Sequence, residues 1–456
     1  MDTVLNSIGY GIRKSTLSKE EYRRLKKELT VIPLQSASES SFVQPTPVLC
    51  YRERVERFYT PKYYGIQHYG FPKKNYETEG TLISVSFNGA LFDHQKPVIQ
   101  SILDCLLKED ACIASLGTGF GKTVSALWIV SQLKVKTAVV VCASYLMDQW
   151  NDQIKKFLPT ASIGRIQAQE YRVGDITMFM MHSLCYKDYD LSKFREYGLV
   201  IIDEMHHVSA QLFSQSLFKL HPKRVLGLSA TPRRKDGTEV IFPWFFNRII
   251  TASTTETVKP SINFFDVTLV EPPTPEFTKA GKLNIPKLIT TIGENEERNK
   301  QLVDLLYPLI KQNRKILVFS DRIAHVERMY ELLNHSDKSL RIGALSIEEL
   351  EKSKEKQVIF STYGMSQEGF DCKGIDTIIM TTPRSDVEQI IGRIMGERVK
   401  HCKNPPLVYD IKDHWCPVFR AQFYKRYTLY KKKGWISGGQ NDEPLTDFAF
   451  LDDDQS

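Results

Sequence analysis

The sequence predicts an α/β protein made of two parallel-sheet domains in tandem, preceded by a small α+β unit. Three observations carry this. Between residues 110 and 250, the apolar runs "ACIASL", "TAVVVCA", "LVIID" and "VLGLSA" each lead into a turn or a helical pattern. A second such series starts near residue 315 with "KILVFS", "QVIFST", "DTIIMTT" and "PLVYDI". Runs rich in Val and Ile without alternation suit strands buried on both faces, which requires helices above and below the sheet. Between the two series, "VEPPTPEFTKAGKLN" has three prolines and little apolar periodicity, as expected of a linker or surface loop. The expected division is 1–88 for the N-terminal unit, 89–255 and 256–436 for the two α/β domains, and 437–456 for an acidic tail. A length of 456 residues suits two or three domains.

The first unit contains "SKEEYRRLKKEL", where Ser18 and Glu21 have capping-box spacing and Tyr22, Leu25 and Leu29 share a helical stripe. The later "YRERVERFYTPKYYGIQHYGFPKK" is dense in Tyr and basic residues. It reads either as a surface that touches a duplex or as a compact β unit with a solvated basic face. In the tail, Asp442, Glu443, Asp447, Asp452, Asp453 and Asp454 occur without Lys or Arg, a composition that favours disorder.

The composition, 42% apolar and 25% charged, is that of a globular protein. No run approaches the roughly 18 to 20 apolar residues of a membrane span, and the N-terminus lacks the apolar core of a signal peptide. No membrane association is expected, and the protein is placed on the reducing side of membranes. Its eight cysteines, scattered without a Cys-x-x-Cys pair, agree with that. His401, Cys402, His414 and Cys416 are metal-ligand types, but their spacing fits no zinc pattern. The net charge of +7 is a weak pointer to a polyanion. Its distribution is more telling, because "RAQFYKRYTLYKKK" from Arg420 to Lys433 has six basic residues and no acidic one, interleaved with aromatics. That is the pattern of a nucleic-acid strip, and equally of an amphipathic helix packing its rings on the core.

Chemistry concentrates in "SLGTGFGKT", Ser115 to Thr123, between an apolar run and a helical pattern. Glycines let backbone N–H groups turn inward around phosphates, and the following helix presents its positive end to the same anion. Lys122 is the expected contact to the β and γ phosphates, and Thr123 offers a hydroxyl to Mg²⁺. Leu116 stands where the strict phosphate-loop pattern has its first glycine, whereas Gly117, Gly119 and Gly121 are retained, with Thr118 and Phe120 between them. About 80 residues on, "LVIIDEMHH" ends an apolar strand in a carboxylate pair. Asp203 is the expected metal partner, and Glu204 the base that polarises attacking water.

In this order and spacing, Gly-Thr-Gly-Phe-Gly-Lys-Thr, Asp203-Glu-Met-His, "SATPRRKDG" from Ser229 and Gln389-x-x-Gly-Arg393 resemble the motifs of superfamily 2 helicases. The match runs from about Leu91 to Met395. The resemblance implies two tandem RecA-like domains, with ATP and Mg²⁺ as cofactors. By the same resemblance, Phe92 and Gln95 in "LFDHQKPVIQ" belong to the adenine site, and His206, Ser229, Ala230 and Thr231 couple hydrolysis to domain movement. Gln149 and Trp150 in "CASYLMDQW" fall in a DNA-contacting segment, with Thr362 as a further DNA contact. "SQEGFD", including Gly369 and Asp371, links nucleotide to DNA, while Gln389 and Arg393 complete the ATP site from the second domain.

The "SATPRRKDG" and "TPRSDVEQIIGR" blocks resemble the branch holding the xeroderma-pigmentosum group B and phage branch-migration helicases. The N-terminal "GYGIRKSTLS" and "FYTPKYYGIQHYG" segments are most similar to poxvirus-type transcript-release helicases of large cytoplasmic DNA viruses. This implies sequence-independent contacts to the DNA backbone, viral RNA polymerase or transcription factors as partners, and a cytoplasmic viral factory or the virion as location. One departure stands out. Gly396 replaces the second arginine usual three residues after Arg393, and Arg398 lies about 200° around a continuing helix from position 396. The leading reading is an ATP-dependent DNA helicase or translocase that remodels duplex DNA or transcription complexes, attenuated if Gly396 limits hydrolysis; an ATP-switched nucleic-acid-binding scaffold and an RNA helicase are the competing readings.

Overall fold

The computed structural model describes residues 1–436 except 7, 35–44, 118–119, 188, 206–209, 221, 231–235, 253–258, 279–280, 282, 344, 368–371, 373, 386, 393–401 and 403. Thr118, Gly119, His206, Thr231, Gly369, Asp371, Arg393, Gly396, Arg398 and the acidic tail therefore lie outside the described residues. The chain divides into two compact units between Thr254 and Thr255.

The first unit opens with β1 (Thr3–Asn6), β2 (Gly9–Arg13) and α1 (Lys19–Glu28), followed by β3 (Arg52–Glu53), β4 (Arg57–Thr60), α2 (Lys62–Tyr69) and β5 (Lys74–Asn75). The strands form a sheet in the order β3-β4-β2-β1-β5. Ser18 caps α1 by accepting from Glu21 N at 3.1 Å. Leu25 and Leu29 point into the core, and Tyr22 packs edge-on against Phe58.

Next come α3 (Lys96–Lys108), β6 (Ala111–Leu116), α4 (Lys122–Leu133), β7 (Thr137–Val141), α5 (Ser144–Phe157), β8 (Ile163–Gln167), β9 (Glu170–Arg172), β10 (Ile176–Met180) and α6 (Met181–Tyr186). They are followed by β11 (Leu199–Ile202), α7 (Ala210–Leu220), β12 (Arg224–Ser229), α8 (Phe242–Phe246) and β13 (Arg248–Ala252). The sheet runs β9-β8-β10-β7-β11-β12-β6-β13, parallel throughout except at the β8–β9 hairpin. Alternate residues of the central strands serve opposite layers. Cys112, Ala114 and Leu116 pack with α3, α4 and α5, whereas Ala111 and Ile113 face the layer of α6, α7 and α8.

That second layer also contains Leu5, Tyr10, Ile12, Phe58 and Tyr64. The N-terminal elements thus share a continuous core with the first sheet and do not form a separately packed unit. Lys62 extends the attachment, pairing with Glu77 at 2.8 Å and with Asp110, the residue before β6, at 3.0 Å.

The second unit contains β14 (Ser261–Asp266), α9 (Ile285–Glu294), α10 (Glu296–Lys311), β15 (Ile316–Ser320), α11 (Ile323–Leu332), β16 (Lys338–Arg341) and α12 (Ile347–Ser353). It continues with β17 (Val358–Thr362), α13 (Tyr363–Gln367), β18 (Thr377–Met380), α14 (Glu388–Ile391), β19 (Leu407–Lys412) and α15 (Pro417–Lys433). All neighbours in its sheet, β14-β19-β18-β15-β17-β16, are parallel. The proline-rich segment before α9 has no helix or strand among its described residues apart from one bridge, Phe277 to Leu283.

Of the two readings of the basic C-terminal strip, core packing is the one seen for its central residues. The strip lies on α15, where Phe423 and Tyr430 are buried. Arg426, 2% exposed, forms a two-pronged pair with Asp410 at 2.8 and 2.6 Å, and Tyr430 donates to the same carboxylate. Lys425 and Lys432 remain on the outside. The suspected metal ligands also have other duties. His414 meets Asp266 at 2.8 Å, Cys402 donates to the Ile375 carbonyl, and Cys416 is buried where α15 begins. His401 lies outside the described residues, among which no cluster suited to a metal occurs. None of the eight cysteines is in a disulfide. Among the described residues, no helix is long and apolar enough to cross a membrane.

Removing one partner of a buried pair leaves an uncompensated charge, at a cost of about 3 to 5 kcal/mol. Arg426→Met is therefore expected to lower the thermal unfolding midpoint of the second unit clearly. Lys425→Ala on the same helix should change stability by no more than about 0.5 kcal/mol; circular dichroism melts of both variants provide the check.

Candidate nucleotide site

In an open parallel sheet, ligands bind beyond the carboxyl ends of the strands. Three motif-bearing strands, β11, β12 and β6, are adjacent in the first sheet and end on the same side. Ser229, the last residue of β12, is level with Ser115 of β6, and Ile202 of β11 with Gly227 of β12. The glycine-rich loop, the carboxylate pair and the Ser229-Ala230 step therefore emerge side by side.

Leu116 at the first glycine position of the loop has a simple explanation: it is the final residue of β6 and fully buried, so the turn starts only at Gly117. Phe120 N donates back to Gly117 O at 3.2 Å. Gly121 caps α4 with φ +89°, a left-handed geometry that favours glycine, and a Cβ there would lie 2.9 Å from Gln95 Nε2. α4 then begins at Lys122 and Thr123, so its unpaired N–H groups open toward the loop.

Gln95 is 3% exposed and engaged at both ends of its amide. It accepts from Phe92 N at 2.9 Å and donates to Phe120 O at 2.5 Å. In this conformation it acts as a strut under the phosphate loop, and reading an adenine edge would require it to exchange one of these bonds. Phe92 by contrast is half exposed and stacks on His94, with centroids 5.8 Å apart, while His94 meets Phe120 edge to face.

The centre of the site is electrostatic. Asp203 is buried, and its Oδ1 accepts from Glu204 N at 2.9 Å and its Oδ2 from Trp150 Nε1 at 2.8 Å. Glu204 adopts φ +45°, an uncommon left-handed conformation for a residue with a side chain and a form of strain found at functional turns. Its Oε1 lies 2.6 Å from Lys122 Nζ. Burial, reinforced by the Glu204 charge, pushes the Asp203 carboxyl up to about 6, while Lys122 and the two N–H donors pull it back toward ionisation. Because this value exceeds the ordinary aspartate value of 3.8, the stability contributed by the protonated group is complete below about pH 4 and lost as pH rises through about 6.

Trp150 corrects an expectation. Its ring is 1% exposed within the layer of α3, α4 and α5, so the side chain offers no surface to DNA and serves to hold Asp203. Its neighbour Gln149 is partly exposed on α5. No sequence periodicity pointed to an indole–carboxylate bond across 53 positions. In the second unit, Thr362 ends β17 and its Oγ1 accepts from Met365 N at 3.4 Å, at the start of α13. Gln389 lies in the short α14. Nearby, the Arg384 guanidinium sits 4.9 Å from the Tyr363 ring centroid and 3.5 Å from Asp321, a pairing that no motif signalled.

Residues 88–234 match the family described as "Type III restriction enzyme, res subunit". The match falls on the first parallel α/β unit and spans about a third of the chain, and both units have the parallel-sheet arrangement of RecA-like domains. The chain is similar to a protein of Acanthamoeba polyphaga mimivirus described as "Putative ATP-dependent RNA helicase", with 29% identity over 94% of this chain and 85% of that one. It is also similar to a "Putative helicase" of invertebrate iridescent virus 6, with 27% identity over 78% and 84%. Among solved structures, T4 UvsW aligns over 95% of this chain and 98% of that one, at 15% identity and a TM-score of 0.37.

Hydrolysis by the free enzyme should decline on an acid limb near pH 6, where Asp203 takes up a proton. Trp150→Phe keeps an aromatic ring but removes a donor to a charged group, worth about 1.5 to 3 kcal/mol. The limb is expected to move up by about one pH unit, as read from kcat/KM for ATP against pH.

Proposed function

We propose that the chain is an ATP-driven DNA translocase or helicase that remodels duplex DNA or transcription complexes. The observation that carries this reading is the Lys122–Glu204–Asp203 constellation beside a glycine-rich loop on one sheet edge. Two carboxylates face one ammonium there, and the excess negative charge together with the Thr123 hydroxyl is a suitable oxygen donor set for a hard divalent cation. Thr123 and Asp203 would hold Mg²⁺, which when bound would neutralise charge on the phosphates.

The chain's own residues supply the remaining steps. Without nucleotide, Lys122 is engaged by Glu204. An incoming γ-phosphate competes for the ammonium, and the transfer of Lys122 to phosphate releases Glu204 to orient and deprotonate water. The ion pair thus holds the base in reserve until substrate arrives. Phe92 offers a face to the adenine ring. Arg393, from the second domain, would stabilise charge on the transferring phosphoryl group, while Ser229 and Thr231 would relay its departure to domain movement.

DNA is favoured over RNA by the branch resemblance of the "SATPRRKDG" and "TPRSDVEQIIGR" blocks. The mimivirus relative is itself described as an RNA helicase, and the two readings share every phosphate-handling part. The viral relatives support a viral setting; the resemblance of the N-terminal segments to transcript-release helicases favours transcript release, recombination or repair in a cytoplasmic viral factory, with the transcription machinery as partner.

Steady-state ATP hydrolysis with no nucleic acid, single-stranded DNA, duplex DNA or RNA tests this reading. DNA is expected to stimulate turnover, and Lys122→Ala to reduce it by about 10² or more. Glu204→Gln should retain nucleotide binding and lose about 10² to 10⁴ in rate. Stimulation by RNA alone would assign an RNA helicase, and ATP binding without turnover an ATP-switched scaffold. Gly396→Arg should raise turnover, by up to about 10³ if the missing arginine acts as a finger; an unchanged rate would clear Gly396 as the limitation. DNA affinity should fall steeply with added salt.

A further inference from the structure

One surface far from the nucleotide edge combines features that the fold itself does not use. From Gly70 to Tyr76 the chain forms the turn after α2 and the edge strand β5. Its backbone is fixed at several points. Tyr10 Oη donates to Gly70 O at 2.9 Å, Lys73 N to Thr3 Oγ1 at 3.1 Å and Tyr76 N to Leu5 O at 2.8 Å. β5 pairs with β1 through Lys74 opposite Val4 and Asn75 opposite Leu5. On this pinned backbone, Phe71 is 85% and Tyr76 58% exposed, with Lys73 and Lys74 exposed between them. A large ring left so open on a fixed segment adds nothing to the core, and an exposed aromatic flanked by cations is a stacking platform with phosphate partners.

The neighbouring acidic groups do not neutralise the lysines. Asp2, within electrostatic reach of Lys74, is shared by Arg57 at 3.0 Å and Arg13 at 2.8 Å. Glu77 turns inward to Lys62, its side chain only 3% exposed. Among the described residues, Lys73 and Lys74 form no salt bridge, so the strip keeps its positive charge. Lys62 joins this end of the N-terminal sheet to Asp110, where β6 begins, whereas Gly117 follows the end of β6. The strip therefore belongs to the opposite end of the first sheet from the nucleotide motifs.

We infer that Phe71, Lys73, Lys74 and Tyr76 form a binding site for an unpaired nucleic-acid strand, separate from the motor's own contacts. The rings stack on bases and the lysines neutralise the adjoining phosphates, with no sequence preference. This rests on the nucleic-acid motor reading and adds to it a second grip, carried by the N-terminal sheet.

The test uses the full chain without nucleotide and measures binding of a fluorescent oligothymidylate and of a blunt DNA duplex by anisotropy. Phe71→Ala is expected to weaken oligothymidylate binding roughly 5- to 150-fold, the range for one lost base stack, and to affect the blunt duplex far less. Lys73→Ala with Lys74→Ala should reduce the slope of log affinity against log salt by about 1.4. All these side chains are exposed, so thermal melting and ATP hydrolysis without nucleic acid should stay at wild-type levels. Unchanged oligothymidylate affinity in both variants would overturn the inference, as would equal loss toward the blunt duplex in Phe71→Ala. These failures are distinct from failure of the motor reading, which would appear as absent nucleic-acid stimulation of wild-type hydrolysis.

Discussion

Keeping a carboxylate buried at the end of β11 is the constraint around which the first unit is organised. Asp203 loses its hydration there, and the surrounding elements replace it: the indole of α5, the backbone N–H of Glu204 and the charge of Lys122 at the start of α4. Each donor comes from a different element, so the positions of α4 and α5 are tied to one carboxylate. The left-handed backbone at Glu204 belongs to the same arrangement, because it places the second carboxylate against Lys122. Such strain persists when surrounding contacts overdetermine it, and here Met205, fully buried, anchors the chain just beyond.

The same logic recurs in the second unit. Arg298 is fully buried and holds Asp413 through two bonds of 2.9 Å while donating to Thr381 O. Arg426 holds Asp410 and donates to Arg384 O. Beside them, His325 bridges Ser320 and Asn299, and burial drives its imidazole down to about 3, so it is neutral at physiological pH. These groups lie at or just beyond the ends of β15, β18 and β19, or reach back to them. Buried charge pairs contribute little net stability compared with apolar packing, but they accept few alternative geometries. In this unit they set the strand ends from which the motif-bearing loops depart.

The N-terminal elements follow a different rule. A small sheet with a short helix buries little surface alone, and this one gains its core by sharing a layer with α7, α8 and the first parallel sheet. Its apolar face is thereby used up, leaving the opposite edge to be defined by charge and exposed rings.

The sequence by itself determined the doubled α/β pattern, since strands buried on both faces cannot alternate and their Val- and Ile-rich runs are visible without coordinates. It also determined the glycine-rich loop with Lys122 and the carboxylate pair, because phosphate chemistry demands those residue types at local spacing. β8, β10, β13 and β14 were less legible, being short runs without a motif to mark them. Tertiary structure alone decided the roles that depend on distant partners. Trp150 became a support for Asp203, Gln95 a strut beneath Phe120, and Arg426 a core residue of a helix whose composition equally suited a nucleic-acid strip. Burial and hydrogen-bond direction arise from the packing of segments far apart in the chain, and no local pattern records which side chain a buried carboxylate will find.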